Sequence, residues 1–516
     1  MTDSEKGQVR RPELVLGLVG PLGTDLAFVA QTLSDSLARV NYGTQLLRLS
    51  RLMREIPRLP WSELKDGPRD EEISAHIVAG NSLRKTLGRQ DAMAMLGVGG
   101  IRELREARHG DPNKPVEGLA YIFYSLKRPE ELQALRRIYG PALIIVAAYA
   151  AKSRRIADLA KRIAESRFSN QSTAYFPQAE SLIQTDESEA GEEFGQDVED
   201  TFALADIIIN SSDRSSTTDS INRFVELLFG NSFHTPTRDE QGMYLAQGAA
   251  YRSASLARQV GAALCKVDGS LVAVGSNEVP TSGGGQYWPD DKLDGRDFRS
   301  GYDSSDRMRE NLLAEILGRL QNGGWLAADK ATMPVGQLVQ EALRTGKPPL
   351  MKGAQFTSTI DFVRAVHAEM AALTDAARRG VATDGTILYT TTFPCHDCAK
   401  HVVASGVKRV VYIEPYTKSL VNELYSDSIL VDSAIDCGDK VRFDPFVGIA
   451  PKRYSEFFAL SKRRRKDASG AVLQWRPNEA NPQLPDYMPS SVAILTGEEE
   501  AFKLFMDGMR SASLTA

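Results

Sequence analysis

Leu14 to Val19 is an unbroken apolar run, the pattern of a strand covered on both faces. A glycine-bearing turn, Gly20-Pro21-Leu22-Gly23-Thr24-Asp25, follows. Apolar positions then recur at helical spacing from Leu26 to Leu37, before a second strand-like piece from Gln45 to Leu49. Strand, turn, helix and strand make a βαβ opening. Ala120 to Tyr124 and Ala142 to Ala148 read as further buried strands. A helix starts at Pro129, where proline suits the first turn, and another covers Arg154 to Arg162. The acidic stretch Asp186 to Asp200 reads as a solvated lid or loop, and Ala203 to Asn210 as the last strand of the sheet. After a Ser/Thr-rich piece and a helix ending at Phe229, Gly230 to Pro236 is the boundary the pattern predicts. The expectation is a parallel-sheet α/β domain over residues 1–235.

From about Asp239 the pattern changes. A helix over Gly242 to Gln259 precedes two strands, Gly261 to Val267 and Leu271 to Gly275, joined by the hairpin signal Asp268-Gly269. A glycine-rich polar stretch, a helix from Ser305 to Leu320 and an irregular piece to about Thr357 form an insertion over residues 281–357. Helix and strand then alternate: Ala368 to Arg379, Thr386 to Thr391, Cys395 to Ser405, Arg409 to Ile413 and Ser419 to Ser426. This second domain is assigned residues 236–516.

A chain of 516 residues calls for more than one core. With 42% hydrophobic and 25% charged residues the composition is that of a globular protein, and a net charge of -5 argues against nucleic-acid affinity as the dominant property. No apolar run reaches membrane-spanning length, and the polar opening residues contain no signal core. Four cysteines, two of them in one C-x-x-C, fit a cytoplasmic protein rather than a disulfide framework. Cys265 and Cys437 are expected as buried thiols.

The chemistry is carried by His367-Ala368-Glu369 and Pro394-Cys395-His396-Asp397-Cys398. This is the H-x-E and P-C-x-x-C signature of zinc nucleotide deaminases. Two cysteines on the first turn of a helix point to one side, the helix amino terminus favours thiolate, and His367 completes a Zn2+ ligand set. The fourth position is left for a water, and Glu369 is expected to move protons as the catalytic acid and base. A closed structural zinc site would instead need a fourth ligand, for which His396 and His401 are the local candidates.

The chain resembles deoxycytidylate deaminases through Arg252-Ser253, Arg258-Gln259-Val260-Gly261-Ala262, Gly275-Ser276-Asn277, the zinc residues, Cys398-Ala399-Lys400 and Glu414-Pro415-Tyr416-Thr417-Lys418. It is similar over nearly its whole length to anti-phage dCTP deaminases, which join a P-loop kinase-like domain to a three-layer αβα cytidine deaminase-like domain. Gly20-x-x-Gly23-Thr24-Asp25, Ser125-Leu126-x-x-Pro129-Glu130-Glu131 and Asn277-Glu278-Val279-Pro280 carry that likeness. The resemblance implies conversion of dCTP to dUTP, with dCMP to dUMP as a further reaction, depleting dCTP in phage defence. It implies a homo-oligomer such as a hexamer, and a small inhibitory RNA as partner. It places Asn277, Arg252, Tyr416 and Lys418 at the substrate.

Gly20, Gly23 and Thr24 fit a nucleotide loop, but the lysine a working P-loop needs is absent and Asp25 stands at the helix start. That leaves a degenerate fold kept for assembly or regulation, or weak nucleotide or RNA sensing. The run Lys462-Arg463-Arg464-Arg465-Lys466 is a solvated face, a triphosphate contact across an oligomer interface or an RNA contact. Trp288 and Trp325 are expected to be buried, with covering of a base as the alternative. Two other functions remain open at this point: a deaminase acting on a base within RNA or DNA, and a non-catalytic nucleotide or RNA sensor.

Overall fold

The apolar runs become a sheet. β1 (Leu14–Val19), β2 (Gly43–Arg48), β3 (Leu119–Leu126), β4 (Leu143–Tyr149) and β5 (Ile207–Asn210) lie parallel in the order β5-β4-β1-β3-β2. The computed structural model describes residues 11–514 apart from 59, 65, 190–191, 346–348, 417, 434–437, 461–463 and 485–490. Cys437, Thr417, Lys462 and Arg463 therefore lie outside the described residues.

β1 is covered on both faces, as its continuous apolar run predicts. Leu14, Leu16 and Leu18 pack with Val29, Leu33 and Leu37 of helix Leu26–Ala38 and with Phe224 and Leu228 of helix Arg214–Leu228. On β3, Phe123 meets Gly97 of helix Ala92–His109, where a Cβ would strike the ring. Arg105 of that helix is buried, and it bonds Glu13 at 2.6 Å and Glu498 of the C-terminal helix Ser491–Ser511 at 2.5 Å.

Ala203 to Asn210 is not the last strand of this sheet. Only Ile207–Asn210 is extended, and a two-residue strand, Gly448–Ile449, pairs antiparallel outside it. The returning strand is fixed by Ile449 N–H donating to Glu240 at 2.8 Å, a buried carboxylate paired with Arg223. The acidic stretch is not a simple solvated loop either. Helix Phe176–Glu187 runs into it, and Asp186 is 2% exposed because Lys127 and the Leu22 amide partner it.

Contacts divide the chain into two units, and the division differs from residues 1–235 and 236–516. The second unit spans Gln241–Val431 and resumes briefly up to Asp444, whereas Pro445 onward belongs with the first. The segment after Asp444 pairs with β5 and docks through Glu498, partners no local pattern announces.

The second unit holds β6 (Gly261–Cys265), β7 (Leu271–Ser276), β8 (Ile387–Thr392), β9 (Arg409–Glu414), β10 (Ile429–Val431) and β11 (Val441–Pro445), in the order β10-β11-β9-β8-β6-β7. β6 is antiparallel to β7 and β8, while β8 and β9 are parallel. Helices Ala368–Arg378 and His396–Ala404 share one apolar cluster with Ala262, Leu264, Leu388 and Val410. Tyr389, next along β8, faces the opposite way, against Gly242 of helix Arg238–Ala250. Helices on both faces make this a three-layer αβα arrangement. A Cβ at Gly275 would run into the backbone of Ala368 and Ala372, so glycine there lets the helix bearing the site sit directly on β7. The first helix of this unit ends at Ala250 rather than Gln259, and residues 251–260 form a loop. The inserted block builds its own small core from Leu313, Val339 and Ala342 under helix Ser304–Asn322.

Candidate active site

Two helix starts make the site. His367 is the residue capping the amino end of helix Ala368–Arg378, and Cys395 caps helix His396–Ala404. The approach to His367 is fixed by Val366 N–H donating to the Glu278 carbonyl at 3.0 Å. The cysteine turn is held by Phe393 N–H donating to the Glu414 carbonyl at 2.7 Å and by Ser419 Oγ donating to the Pro394 carbonyl at 2.9 Å. His367 Nδ1 then lies 3.3 Å from both Cys395 Sγ and Cys398 Sγ. These three donor atoms lie within 4.8 Å of one another, and no fourth side chain from the described residues joins them. His396 and His401, the candidates for a closed site, stay outside the cluster.

The electrostatics match the donor set. Hydrogen bonding with the Cys398 thiol, and then with His367, pulls the Cys395 thiol down to about 4, against the opposing effect of burial. Its contact with Cys395 pushes His367 up to about 9. Cys398 is held well above its ordinary value, first by the same Cys395 contact and then by burial. One proton thus stays on the sulfur pair and one on the imidazole, which are the protons a cation displaces on binding. Two buried thiols and a half-buried imidazole are a donor set that fits Zn2+. Glu369, one residue beyond Ala368 on the first helical turn, is 4% exposed. Burial, and secondly the Cys395 charge, push its carboxyl above the usual range.

Comparison with known proteins bears on the same residues. Residues 236–414 match the family described as the cytidine and deoxycytidylate deaminase zinc-binding region. The second unit carries a cytidine and deoxycytidylate deaminase-like domain. The deoxycytidylate deaminase of Enterobacteria phage T2 is 42% identical to the chain over 71 residues, 14% of the chain and 36% of that protein. ComE operon protein 2 of Bacillus subtilis (strain 168) is 39% identical over 66 residues, 13% of the chain and 35% of that protein. The chain therefore spans about a third of the length of these curated relatives. The crystal structure of dCMP deaminase from cyanophage S-TIM5 in complex with dCMP and dUMP aligns with 41% of the chain and 99% of its own at 19% identity. Its TM-score of 0.23 is too low to speak for the fold. His367, Cys395 and Cys398 lie within the stretch that matches this zinc-binding region and are the residues able to hold the metal.

Within the deaminase domain the residues expected at the substrate divide. Arg252 turns away into internal bonds. It donates to Ser276 Oγ at 3.2 Å and to the carbonyls of Gln286 and Tyr287 at 3.0 and 3.1 Å, and stacks 3.8 Å over the Trp288 ring. It borders a cavity of about 940 Å³ between β7 and helix Ala368–Arg378. Asn277 is also engaged with the protein, donating to the Arg258 carbonyl and accepting from Val260 N–H, each at 2.7 Å. It fixes a loop. Tyr416 is half-buried and Lys418 exposed, in the turn after β9. Trp288 is 52% exposed and Trp325 82%, so neither is buried. Cys265 is buried, as expected, and burial pushes its thiol up to about 11.

In the loop after β1 several backbone donors are taken by the protein itself. Leu22 N–H donates to Asp186 at 2.7 Å, Phe28 N–H to Asp25 at 3.1 Å and Thr24 N–H to the Pro21 carbonyl at 3.2 Å. A Cβ at Gly23 would meet the Arg155 backbone at 2.6 Å, so helix Lys152–Ser166 packs tightly on that glycine, while Thr24 and Asp25 line a cavity of about 350 Å³ with Arg154 and Arg162. Two of these amides already hold carboxylates, which reduces what the loop backbone itself offers an anion. Gly20, Gly23 and Thr24 are placed together in one loop, where the Thr24 hydroxyl is buried without a hydrogen-bond partner. Magnesium ATP is expected to give no saturable heat of binding in isothermal titration. Micromolar binding that Thr24→Ala abolishes would contradict this.

Sequence reasoning gave no role to Arg258 and Glu278. Glu278 is 2% exposed and accepts from Ala254 N–H at 2.8 Å. The signal for both was their place in the motifs Arg258-Gln259-Val260-Gly261-Ala262 and Asn277-Glu278-Val279-Pro280.

Proposed function

We propose that this protein hydrolytically deaminates free deoxycytidine nucleotides, converting dCTP to dUTP and, as a second reaction, dCMP to dUMP. The observation that supports this reading most strongly is a buried carboxylate, Glu369, on the same helical turn as one of three clustered metal donors. Zinc bound there supplies Lewis acidity, which makes a water molecule nucleophilic near neutral pH. Glu369 accepts the proton of the attacking water and delivers it to the ring nitrogen N3. It then takes the second proton of that water from the hydroxyl on C4 and gives it to the exocyclic amine as the C4–N bond breaks, so that a C4–O bond replaces it and ammonia leaves. The elevated proton affinity that burial gives Glu369 suits a group that must both take and return a proton. Depletion of dCTP in phage defence, a homo-oligomer such as a hexamer and a small inhibitory RNA partner follow from the resemblance to anti-phage dCTP deaminases.

Purified protein incubated with dCTP, dCMP, deoxycytidine and single-stranded oligonucleotides is expected to release ammonia and a uracil product from dCTP, by liquid chromatography. Excess oligonucleotide should not compete. Deamination confined to the oligonucleotide would replace this reading with a nucleic-acid deaminase. Binding of dCTP by zinc-loaded protein without any product would favour a sensor.

A further inference from the structure

Helix Phe176–Glu187 ends on two carboxylates, Asp186 and Glu187, although a helix carboxyl terminus opposes negative charge. What holds Asp186 lies elsewhere in the chain. The Leu22 amide, in the glycine-bearing turn after β1, donates to it at 2.7 Å, and Lys127 Nζ reaches both of its oxygens, at 2.8 and 3.1 Å. Lys127 also donates to the Gly20 carbonyl at 3.2 Å, which ties the cation to the same turn. A backbone amide and an ammonium group gripping two oxygens, in a turn between strand and helix, is also how a phosphate group is held. The lysine that this turn lacks in its own sequence arrives from the residue after β3.

Asp186 borders a cavity of about 200 Å³ at the carboxyl ends of β1 and β3. The strand connections change direction there, which is where open parallel sheets take their ligands. Three features of its wall serve no evident purpose in the fold itself. Ser125 holds a left-handed φ of 69°, at the point where the β1–β3 register shifts. Arg84 is 2% exposed, yet its Nε has no partner among the described residues. Gln196 Oε1 is buried and equally unpartnered. Beside His76, the charged groups of the wall are Arg69, Arg84 and Lys127 against Glu72, Glu131 and Asp186. Taking Asp186 away therefore leaves one cation in excess.

We propose that Asp186 stands in for an oxyanion of the phosphate type, which binds between the Leu22 amide and Lys127 when this carboxylate is displaced. The chain thus occupies the seat with a side chain of its own, and the ligand competes with the end of helix Phe176–Glu187 for it. A tethered carboxylate acts at high effective concentration, so a free anion binds weakly until Asp186 leaves. This agrees with the lack of saturable magnesium ATP binding expected above. The inference does not draw on the deaminase reading.

The test uses the whole chain, with inorganic pyrophosphate as probe and sodium chloride at matched ionic strength as control. In calorimetric titration Asp186→Ala is expected to bind pyrophosphate about tenfold more tightly than wild type, the size of effect that one charge-assisted hydrogen bond gives. Adding Lys127→Met to Asp186→Ala removes that gain. Asp186→Ala melts below wild type, and pyrophosphate raises its melting temperature more than sodium chloride does. If Asp186 is only a structural partner of Lys127, the variant still melts early, but pyrophosphate neither binds more tightly nor restores it, and the inference is overturned. A gain in binding that survives Lys127→Met places the anion elsewhere and also overturns it. Should Asp186→Ala not fold, Asp186→Asn replaces it, and wild type is followed by hydrogen exchange. Amides at the end of helix Phe176–Glu187 then exchange faster as pyrophosphate is added, but not with sodium chloride. Exchange that pyrophosphate leaves unchanged rules the competition out.

Discussion

Glu369→Gln is expected to lower turnover of dCTP by about three orders of magnitude, within the range for loss of a general acid and base. Zinc content should remain that of wild type, because the carboxylate is not among the three clustered donors. The amide preserves size and removes the group proposed to shuttle the proton. Elemental analysis by mass spectrometry alongside steady-state kinetics checks both halves. Loss of activity accompanied by loss of zinc would make Glu369 a support for the metal rather than a proton carrier. Wild-type activity in the variant would remove it from the mechanism. The pH profile carries a related expectation. Glu369 must be ionised to accept the proton from water, and burial raises its carboxyl above the ordinary range. The acidic limb of kcat/KM should therefore fall at a higher pH than an exposed glutamate would give, and Glu369→Gln should flatten it.

Arg105→Leu is expected to destabilise the first unit by about 3–5 kcal/mol, the cost of leaving buried charges without their partner. Arg105 is 2% exposed at its side chain and holds both Glu13 and Glu498. Glu13 has further support, from Val116 N–H at 2.7 Å and the Tyr121 hydroxyl at 3.0 Å. Glu498 is fully buried and depends more heavily on the arginine. Helix Ser491–Ser511 should therefore loosen first, seen as faster hydrogen exchange there than in β1. The sign of the pH effect follows from Glu498, whose carboxyl burial already raises while Arg105 draws it back. Without Arg105 its proton affinity climbs further. The native state then binds more protons than the unfolded chain from the ordinary glutamate value up to the raised one, so stability increases as pH falls through that window. Denaturant titrations at pH 7 and pH 5.5 should show the variant recovering part of its loss. Equal losses at both values would mean that Glu498 is not the strained partner.

What the chain disclosed by itself followed the reach of each interaction. β1 and β4 are continuous apolar runs, and the β6–β7 hairpin turns on Asp268-Gly269, so local pattern was enough. The metal donors were legible because zinc demands particular atoms at helix starts, which the sequence spells out at His367 and Cys395 to Cys398. Helices Arg69–Leu87 and Ala92–His109 escaped notice. The second of them interleaves glycines with methionines, and Gly97 and Gly100 are there to fit against Phe123 and Leu52. Asp186 sits in an acidic stretch and looks solvated, yet its partners are Lys127 and the Leu22 amide, far away in the chain. Arg252 and Asn277 lie where substrate contacts were expected, but the groups that claim them come from residues 258–260 and 276–287. The type of residue was readable in each case, whereas the neighbour that determines its role was not.

The return of the chain at Gly448–Ile449 has a consequence for how the protein is made. A ribosome adding roughly 5–20 residues per second needs on the order of ten to forty seconds to travel from Glu240 to Pro445. Throughout that time β5 has a bare edge and Arg105 has no Glu498. The deaminase domain can close during synthesis, while the domain begun first must wait for the last helix to emerge. A premature stop shortly after Asp444 would thus spare the later-made fold and cripple the earlier one.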